Sequence, residues 1–207
     1  SNLCAEIVEY SEKDETAVCN LASIALPKFV TDDGKYDYQD LYQVAKLATK
    51  NLDQVIDINF YPTDKTQNSN SRHRPIGLGI QGLADVYFKM NIAYDSVQAQ
   101  MINKQIFETI YFGALEASME LAADKGAYST FQGSPLSQGQ FQFDLWGVKP
   151  SSMWDWKGLM DKIQKHGVRN SLTTDCMPTA STGIILGNTE TFQVQTSNIY
   201  KRQTLSG

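Results

Sequence analysis

Cys4 stands two residues after Asn2 and two residues before Glu6. In an extended segment, residues two positions apart point to the same side, so an amide, a thiol and a carboxylate would face one site. A thiol beside a proton acceptor and an amide is suited to redox or radical chemistry on a polar substrate. A buried structural cysteine between two solvated neighbours is the alternative, and the triplet alone favours that alternative.

The other two cysteines are Cys19 and Cys176. The chain has two histidines, and its cysteine spacings match neither a C-x-x-C redox motif nor a zinc site, so no metal ligand is predicted. Cys19 pairs with Cys4 in a disulfide, acts separately, or is a small core residue at the start of an apolar strand. Cys176 precedes Met177 and Pro178 with no polar partner nearby in the sequence, and we interpret it as structural.

A hydroxyl-rich segment, made of Thr179, Ala180, Ser181 and Thr182, precedes a short stretch of helical character at residues 184–187. Hydroxyls and free backbone N–H groups at the start of a helix form an anion site. An ordinary Ser or Thr helix cap explains the same pattern equally well. Both interpretations remain open on the residues alone.

Gly77, Gly79 and Gly82 have the spacing of a dinucleotide-binding fingerprint. The acidic residue expected about 20 residues later has no convincing position. Close packing between a strand and a helix explains these glycines better.

The two histidines, His73 in a basic stretch and His166 near a helix end, have no Ser or Asp at a sequence distance that suggests a catalytic triad. A positively charged side chain near the C-terminal end of a helix commonly interacts with the helix dipole and implies no catalytic role. Neither histidine is a candidate catalytic residue on this basis.

Helical and strand-like apolar spacings alternate along the chain, which indicates an α/β protein with parallel strand pairing. The apolar run 18–29 ends its regular part at Pro27. The predicted helices are 40–57, 82–90, 96–126 and 153–166, the predicted strands are 76–80, 168–174 and 192–196, and residues 62–74 are predicted to be an irregular polar loop.

The composition is that of an ordinary globular protein of 207 residues with a formal net charge of −5. A mildly acidic chain is a poor candidate for direct nucleic-acid binding. It has no apolar run of the roughly 20 residues that a membrane span needs. Three cysteines argue against a secreted disulfide framework, so we expect a cytoplasmic protein. Chemically distinctive residues begin at once, and we expect the chain to be a piece of a longer one.

Six segments resemble, in the same order, the large (catalytic, alpha) subunit of class I ribonucleotide reductase of the eukaryotic and viral type. They are SNLCAEI, AVCNLASIAL, RHRPIGLGIQGLAD, NKQIFETIYFGALEAS, MPTAST and TSNIYKRQTLSG. The resemblance runs from Ser1 to Gly207. It implies that residues 1–207 are a partial catalytic domain, part of a ten-stranded α/β barrel, covering the central finger loop and the later barrel half.

The same resemblance implies roles for individual residues. Cys4 would form the transient thiyl radical that abstracts the 3′ hydrogen of the substrate, and Glu6 would be the general base on the 3′ hydroxyl. Cys19 would be one half of the redox pair that reduces the 2′ position. The implied substrate contacts are Ser1, Asn2 and Glu6 around the ribose, and Thr179, Ala180, Ser181 and Thr182 around the diphosphate.

The implied reaction is the reduction of ribonucleoside diphosphates to deoxyribonucleotides for DNA synthesis. A metal-containing small subunit would supply the radical, thioredoxin or glutaredoxin the electrons, and a second large subunit would complete a homodimer. This segment itself is expected to bind no cofactor, and the ATP and deoxynucleotide effectors would bind elsewhere. The isolated fragment is expected to be inactive. The alternatives are a non-catalytic binding or assembly module and one piece of a split gene.

Overall fold

A computed structural model of the chain describes residues 4, 6–199 and 201. Strands β1 (Leu21–Ala25) and β2 (Gly77–Gln81) form a parallel pair in which Leu21 lies opposite Gly77. On the other side of β2, Thr174 forms a parallel bridge with Leu78. β2 is therefore the middle of three parallel segments, and the predicted α/β fold with parallel pairing is confirmed.

β2 is buried along its whole length. Leu78 and Ile80 belong to the main apolar core, together with Ile106 and Ile110 of the long helix α4 (Val97–Lys125). Because side chains alternate across a strand, the glycines of β2 lie on the opposite face. One face of β2 therefore packs against the apolar helical layer, and the glycines leave its other face nearly without side chains.

Helices α1 (Tyr38–Ile58) and α4 make the most extensive helix–helix contact. The Asp37 and Ser96 side chains accept hydrogen bonds from backbone N–H groups in their first turns, which fixes where each helix begins. At Gly113 a Cβ atom would lie 3.0 Å from the carbonyl oxygen of Tyr42. The absence of a side chain there lets the two helices approach closely.

The shorter helices connect these parts. They are α2 (Asp64–His73), α3 (Leu83–Lys89), α5 (Gln142–Leu145), α6 (Trp156–His166) and α7 (Ala180–Leu186), with 3-10 turns at Leu26–Phe29 and Leu136–Gln138. A second apolar core surrounds the C-terminal half of α4 and is rich in aromatic side chains, including Phe112, Phe131, Phe141 and Trp156.

The prediction of an irregular loop at 62–74 is wrong, because α2 occupies most of that stretch. Thr63 and Thr66 form a reciprocal capping box that starts the helix. Arg74 ends it in the left-handed conformation with φ 48°. A helix with few apolar residues has no visible apolar period, so spacing alone did not reveal it.

Two of the predicted strands also differ from the structure. Residues 192–196 form no strand, and Phe192 and Val194 are exposed. Within 168–174, strand pairing is confined to the bridge at Thr174, although the N–H of Ile76 bonds to the carbonyl of Leu172 at 3.0 Å. Short apolar runs do not distinguish a strand from an extended loop.

A buried polar network holds the chain that leads into this bridge. Arg74 donates to Asp53 at 2.9 Å and to Asp57 at 2.7 Å. Asn170 donates to the same Asp53 oxygen at 3.0 Å and accepts from Ser118 at 2.8 Å. These bonds tie α1, α2 and α4 to the segment after α6, and so place residues 172–175 beside β2.

Candidate functional site

The glycines of β2 open one face of the sheet. A Cβ on Gly77 would lie 2.5 Å from Leu21 Cδ2 and 2.7 Å from Asp175 Oδ2. A Cβ on Gly79 would lie 2.6 Å from the carbonyl oxygen of Asp175 and 2.9 Å from Met177 Cε. We call the surface formed by these five residues the glycine face. Gly77 and Gly79 therefore serve close packing, as predicted. Their close neighbours, however, belong to β1 and to the segment that follows Thr174 rather than to a helix.

At Gly82 the packing partner is helical. This residue has φ +80°, a left-handed conformation that favours glycine, and it precedes α3. A Cβ there would lie 2.8 Å from the ring of Pro27, in the first 3-10 turn. The third glycine of the motif therefore serves a tight turn and close packing, as predicted.

Asp175 is a buried carboxylate on the glycine face. Asp175 is 7% exposed, and neither of its carboxylate oxygens has a partner in hydrogen-bond geometry. Burial is the main cause that raises the pKa of Asp175 to about 6; the charge of Glu6 contributes to the rise, and the adjacent backbone of Cys176 opposes it. The sequence reasoning missed Asp175, since a lone aspartate before Cys176 carries no motif.

Glu6 and Glu9 share this environment. Oε2 of Glu6 and Oε1 of Glu9 are also buried without hydrogen-bond partners. Burial raises the pKa of Glu9, and the charge of Asp175 adds to the rise. Glu6 also lines a cavity with Thr173 and Thr174, the residues just before Asp175. Three carboxylates thus converge near one end of the third segment.

Cys4 is exposed and lies in a turn, and Glu6 lies in a bend. The extended conformation on which their common side was predicted is therefore wrong for this pair. Ser1 and Asn2 lie outside the described residues. Cys19 is half-buried just before β1, and the carbonyl of the next residue, Asn20, accepts from Gly77 N–H at 2.9 Å.

Cys176 is half-buried and lines a different cavity, with Tyr87, Tyr94 and Phe192. Burial raises the pKa of its thiol, and the charge of Asp175 adds to this. The surroundings of Cys176 fit the structural interpretation.

A cluster centred on Glu15 anchors the segment between Cys4 and Cys19. Glu15 accepts from Arg72 and, at 2.5 Å, from Nε2 of His73. Nδ1 of His73 lies 2.8 Å from the hydroxyl of Thr130. Burial by itself would raise the pKa of Glu15, but the bonds from His73 and Arg72 bring it below its ordinary value.

This cluster corrects the interpretation of His73, which has both a hydroxyl and a carboxylate partner. Glu15 stands 58 residues before His73 in the chain, so a search for nearby partners in the sequence could not find it. Further bonds fasten the same segment to α2: Thr16 N–H donates to the carbonyl of Lys65 at 3.2 Å, and the Asn68 side chain to that of Asp14 at 3.2 Å.

The hydroxyl-rich segment forms a strained turn into α7. Thr179 has φ 53°, which is uncommon for a β-branched residue, and its hydroxyl accepts from Thr191 N–H at 2.7 Å. It makes no side-chain cap bond to α7, so the ordinary-cap alternative is wrong for Thr179. Ala180 is half-buried, and Ser181 and Thr182 are exposed.

Bonds from beyond α7 hold this turn close to the end of β2. The Asn188 amide donates to Gln81 at 3.2 Å. Thr189 N–H donates to the Asp85 carboxylate at 2.7 Å, and its carbonyl accepts from Gly82 N–H at 2.9 Å. These bonds connect the turn to Gln81 and Gly82, at the end of β2, the strand that carries the glycine face. The predicted approach of Cys4, Cys19 and the turn to one ribose diphosphate, within about 15 Å, stays a prediction.

The described residues contain no group of three or more His, Cys, Asp or Glu side chains arranged to hold a metal ion. Among them, no helix is both long and apolar enough to cross a membrane.

The chain is similar to known proteins over its whole length. Residues 1–207 match the family described as "Ribonucleotide reductase, barrel domain". The chain is 58% identical to the ribonucleoside-diphosphate reductase large subunit of Caenorhabditis elegans, covering all of this chain and 26% of the relative. It is 59% identical to large chain 2 of Saccharomyces cerevisiae and 56% identical to the large subunit of Variola virus, covering all of this chain and 24% and 27% of those relatives.

The chain spans about a quarter of the length of these relatives. The match extends to both ends of the 207 residues, and the structure combines helices with parallel strand pairing. The chain therefore belongs to the ribonucleotide reductase barrel domain family, of which it represents a part.

Proposed function

We propose that this chain is part of the catalytic large subunit of a ribonucleoside-diphosphate reductase, which reduces ribonucleoside diphosphates to deoxyribonucleoside diphosphates. The observation that carries the proposal is the match of all 207 residues to large subunits bearing that name, at 56–59% identity. The packing of the buried Asp175 against Gly77, together with the effect of the Glu6 charge on Asp175, supports the proposal.

In this proposal Cys4 carries the thiyl radical and removes the 3′ hydrogen, while Glu6 takes the proton of the 3′ hydroxyl. A buried carboxylate oxygen without a donor, such as Oε2 of Glu6, is suited to accept that proton. Cys19, with a second cysteine from outside this chain, supplies the reducing equivalents and becomes part of a disulfide. Asn2 and Ser1 complete the ribose contacts.

The turn at Thr179, Ala180, Ser181 and Thr182 holds the diphosphate. The exposed side chains of Ser181 and Thr182 leave hydroxyls available to an anion. The left-handed backbone of Thr179 supports the proposal, since strained residues cluster at ligand-binding turns.

The proposed partners follow from the large-subunit assignment. A metal-containing small subunit supplies the radical, a second large subunit forms the homodimer, and thioredoxin or glutaredoxin restores the reduced cysteines. This segment binds no cofactor of its own in the proposal, and the ATP and deoxynucleotide effectors bind elsewhere in the large subunit. The proposed location is the cytoplasm, where thiols are kept reduced.

The test uses the complete large subunit that contains this segment, with its small subunit, a ribonucleoside diphosphate and a reductant. We expect Cys4→Ser to reduce deoxynucleotide formation by roughly a thousandfold or more while the Kd for substrate changes little, because a hydroxyl does not readily hold the radical. Cys19→Ser should block reduction but still permit 3′ hydrogen abstraction, measured as release of label from a 3′-tritiated substrate.

Cys176→Ser is the matched control, because it makes the same atomic change at a cysteine outside the proposed machinery. Sustained turnover by the Cys4→Ser variant would refute the assignment. Residues 1–207 alone should give no product, since Cys19 lacks its redox partner and Cys4 lacks a radical source. Product formation by the isolated chain would contradict that expectation.

A further inference from the structure

Asp175 has no donor for either carboxylate oxygen, although both oxygens are buried. Leaving a buried charged group without hydrogen bonds is costly, and most buried polar groups in proteins are partnered. The backbone of Asp175 is well held, because its N–H bonds to the carbonyl of Leu78 at 3.2 Å. The side chain is therefore fixed in place with its hydrogen-bonding capacity unused.

The position of this side chain is defined by a space that glycine leaves open. Oδ2 of Asp175 lies 2.7 Å from where a Cβ of Gly77 would be, so any other residue at position 77 would collide with the carboxylate. Asp175 is thus seated on the glycine face, on the same side of the sheet as Leu21. Cys176, the next residue in the chain, lines a cavity elsewhere.

The surroundings of Asp175 call for hydrogen-bond donors rather than for a further anion. The acidic side chain of Glu6 is the charged group that acts on Asp175, and Asp175 in turn acts on Glu9. Among the described residues, these three carboxylates make no ion pair with Lys, Arg or His. Hydroxyl groups would satisfy the empty acceptor positions without adding negative charge.

The distance along the chain matches a sugar phosphate. Asp175 and Thr179 are four positions apart, so their Cα atoms are at most about 14 Å apart even in a fully extended chain. This upper limit is comparable to the length of a nucleoside diphosphate, so one such ligand can span the turn at Thr179–Thr182 and Asp175.

We propose that Asp175 is a further substrate-binding residue, which accepts a hydrogen bond from a ribose hydroxyl of the nucleoside diphosphate beside Glu6. This inference rests on the proposed function and adds one residue to its site. The hydroxyl donates, the carboxylate accepts, and no covalent bond changes. Asp175 would thereby help the site to distinguish ribose from a sugar that lacks that hydroxyl.

The test measures direct binding to the complete large subunit, without small subunit or reductant, so that catalysis plays no part. The ligands are cytidine diphosphate and its 2′-deoxy and 3′-deoxy counterparts. We expect Asp175→Ala to weaken the binding of cytidine diphosphate about 10- to 100-fold, the range for a hydrogen bond to a charged group. One deoxy counterpart, lacking the hydroxyl that Asp175 holds, should bind wild type and variant equally.

Asp175→Asn keeps the shape of the side chain and one acceptor oxygen, so it should give a smaller loss of the same pattern. It also keeps the test decisive if the alanine variant fails to fold. Glu108→Gln is the matched control: Glu108 too has a buried oxygen without a partner, and glutamine preserves the acceptor used by Trp156. Binding to this control should stay within about twofold of wild type.

Equal losses for all three ligands, or no loss for any, would overturn the inference. If Glu6→Gln changes ribose discrimination while both Asp175 variants do not, the inference fails and the proposed function stands. If the wild-type large subunit binds none of the three diphosphates, the proposed function fails and this inference fails with it.

Discussion

Glu15 and Asp175 are both buried carboxylates, 1% and 7% exposed, yet their surroundings have opposite effects on them. Glu15 accepts from His73 and Arg72, and its pKa lies below the ordinary value. Neither carboxylate oxygen of Asp175 has a partner in hydrogen-bond geometry, and its pKa rises to about 6. The supply of donors, rather than burial alone, decides whether a buried carboxylate stabilises the fold.

This contrast separates a carboxylate that fastens the fold from one whose hydrogen-bond acceptors are unused. Glu15 consumes its acceptors on groups from α2 and fastens the segment between Cys4 and Cys19. Asp175 keeps its acceptors unused on the glycine face. The two can therefore be distinguished by experiment, since removing the first should damage the fold and removing the second should relieve a local cost.

The largest effect is expected at the anchor. Glu15→Ala leaves His73 and Arg72 without their carboxylate, and we expect the complete large subunit to lose about 3 kcal/mol of stability locally. The segment 6–19 should become susceptible to limited proteolysis, and turnover should fall with it. Glu15→Gln keeps an acceptor and should lose less. Unchanged proteolysis of the alanine variant would show that Glu15 is not an anchor.

An effect of opposite sign is expected at Asp175. The pKa of Asp175 in the folded protein, about 6, exceeds its ordinary value of 3.8, so the contribution of Asp175 to stability is fully present below pH 3.8 and is lost as the pH rises through about 6. Asp175→Asn removes the titrating carboxyl group, and with it this pH-dependent loss of stability. The variant should gain about 2 kcal/mol over wild type between pH 4 and pH 8.

Thermal unfolding of the complete subunit across that pH range, without ligand, measures this gain. A difference in Tm that stays constant with pH, or that shrinks as the pH rises, would show that Asp175 carries no such cost. Glu108→Gln again serves as the control, because its unpartnered oxygen lies away from the glycine face.

The smallest effect is expected at Cys176. Its thiol lines a cavity with Tyr87 and Tyr94, apart from the glycine face. Cys176→Ala removes one sulfur atom from a half-buried position, so kcat/KM should change less than about twofold. Steady-state kinetics of the complete enzyme gives the answer, and a tenfold loss would place Cys176 in the catalytic machinery.

Local signals in the sequence predicted the long helices well. The stretch predicted at 96–126 is α4, because a serine cap, an apolar stripe and a terminal glycine act within a few residues of one another. The same approach missed α2, whose polar residues have no apolar period and whose stability comes from a capping box and from contacts with distant segments.

The sequence by itself determined the family, and it predicted roles for Cys4, Cys19, Glu6 and the hydroxyl-rich turn, because these features are contained in short contiguous motifs. Tertiary structure alone decided which buried carboxylates have donors. Glu15 meets His73 across 58 residues, and Asp175 meets the glycines of β2 across nearly a hundred, according to how the strands and helices pack. Hydrogen bonding and desolvation depend on such neighbours in space, and residue spacing along the chain does not contain them.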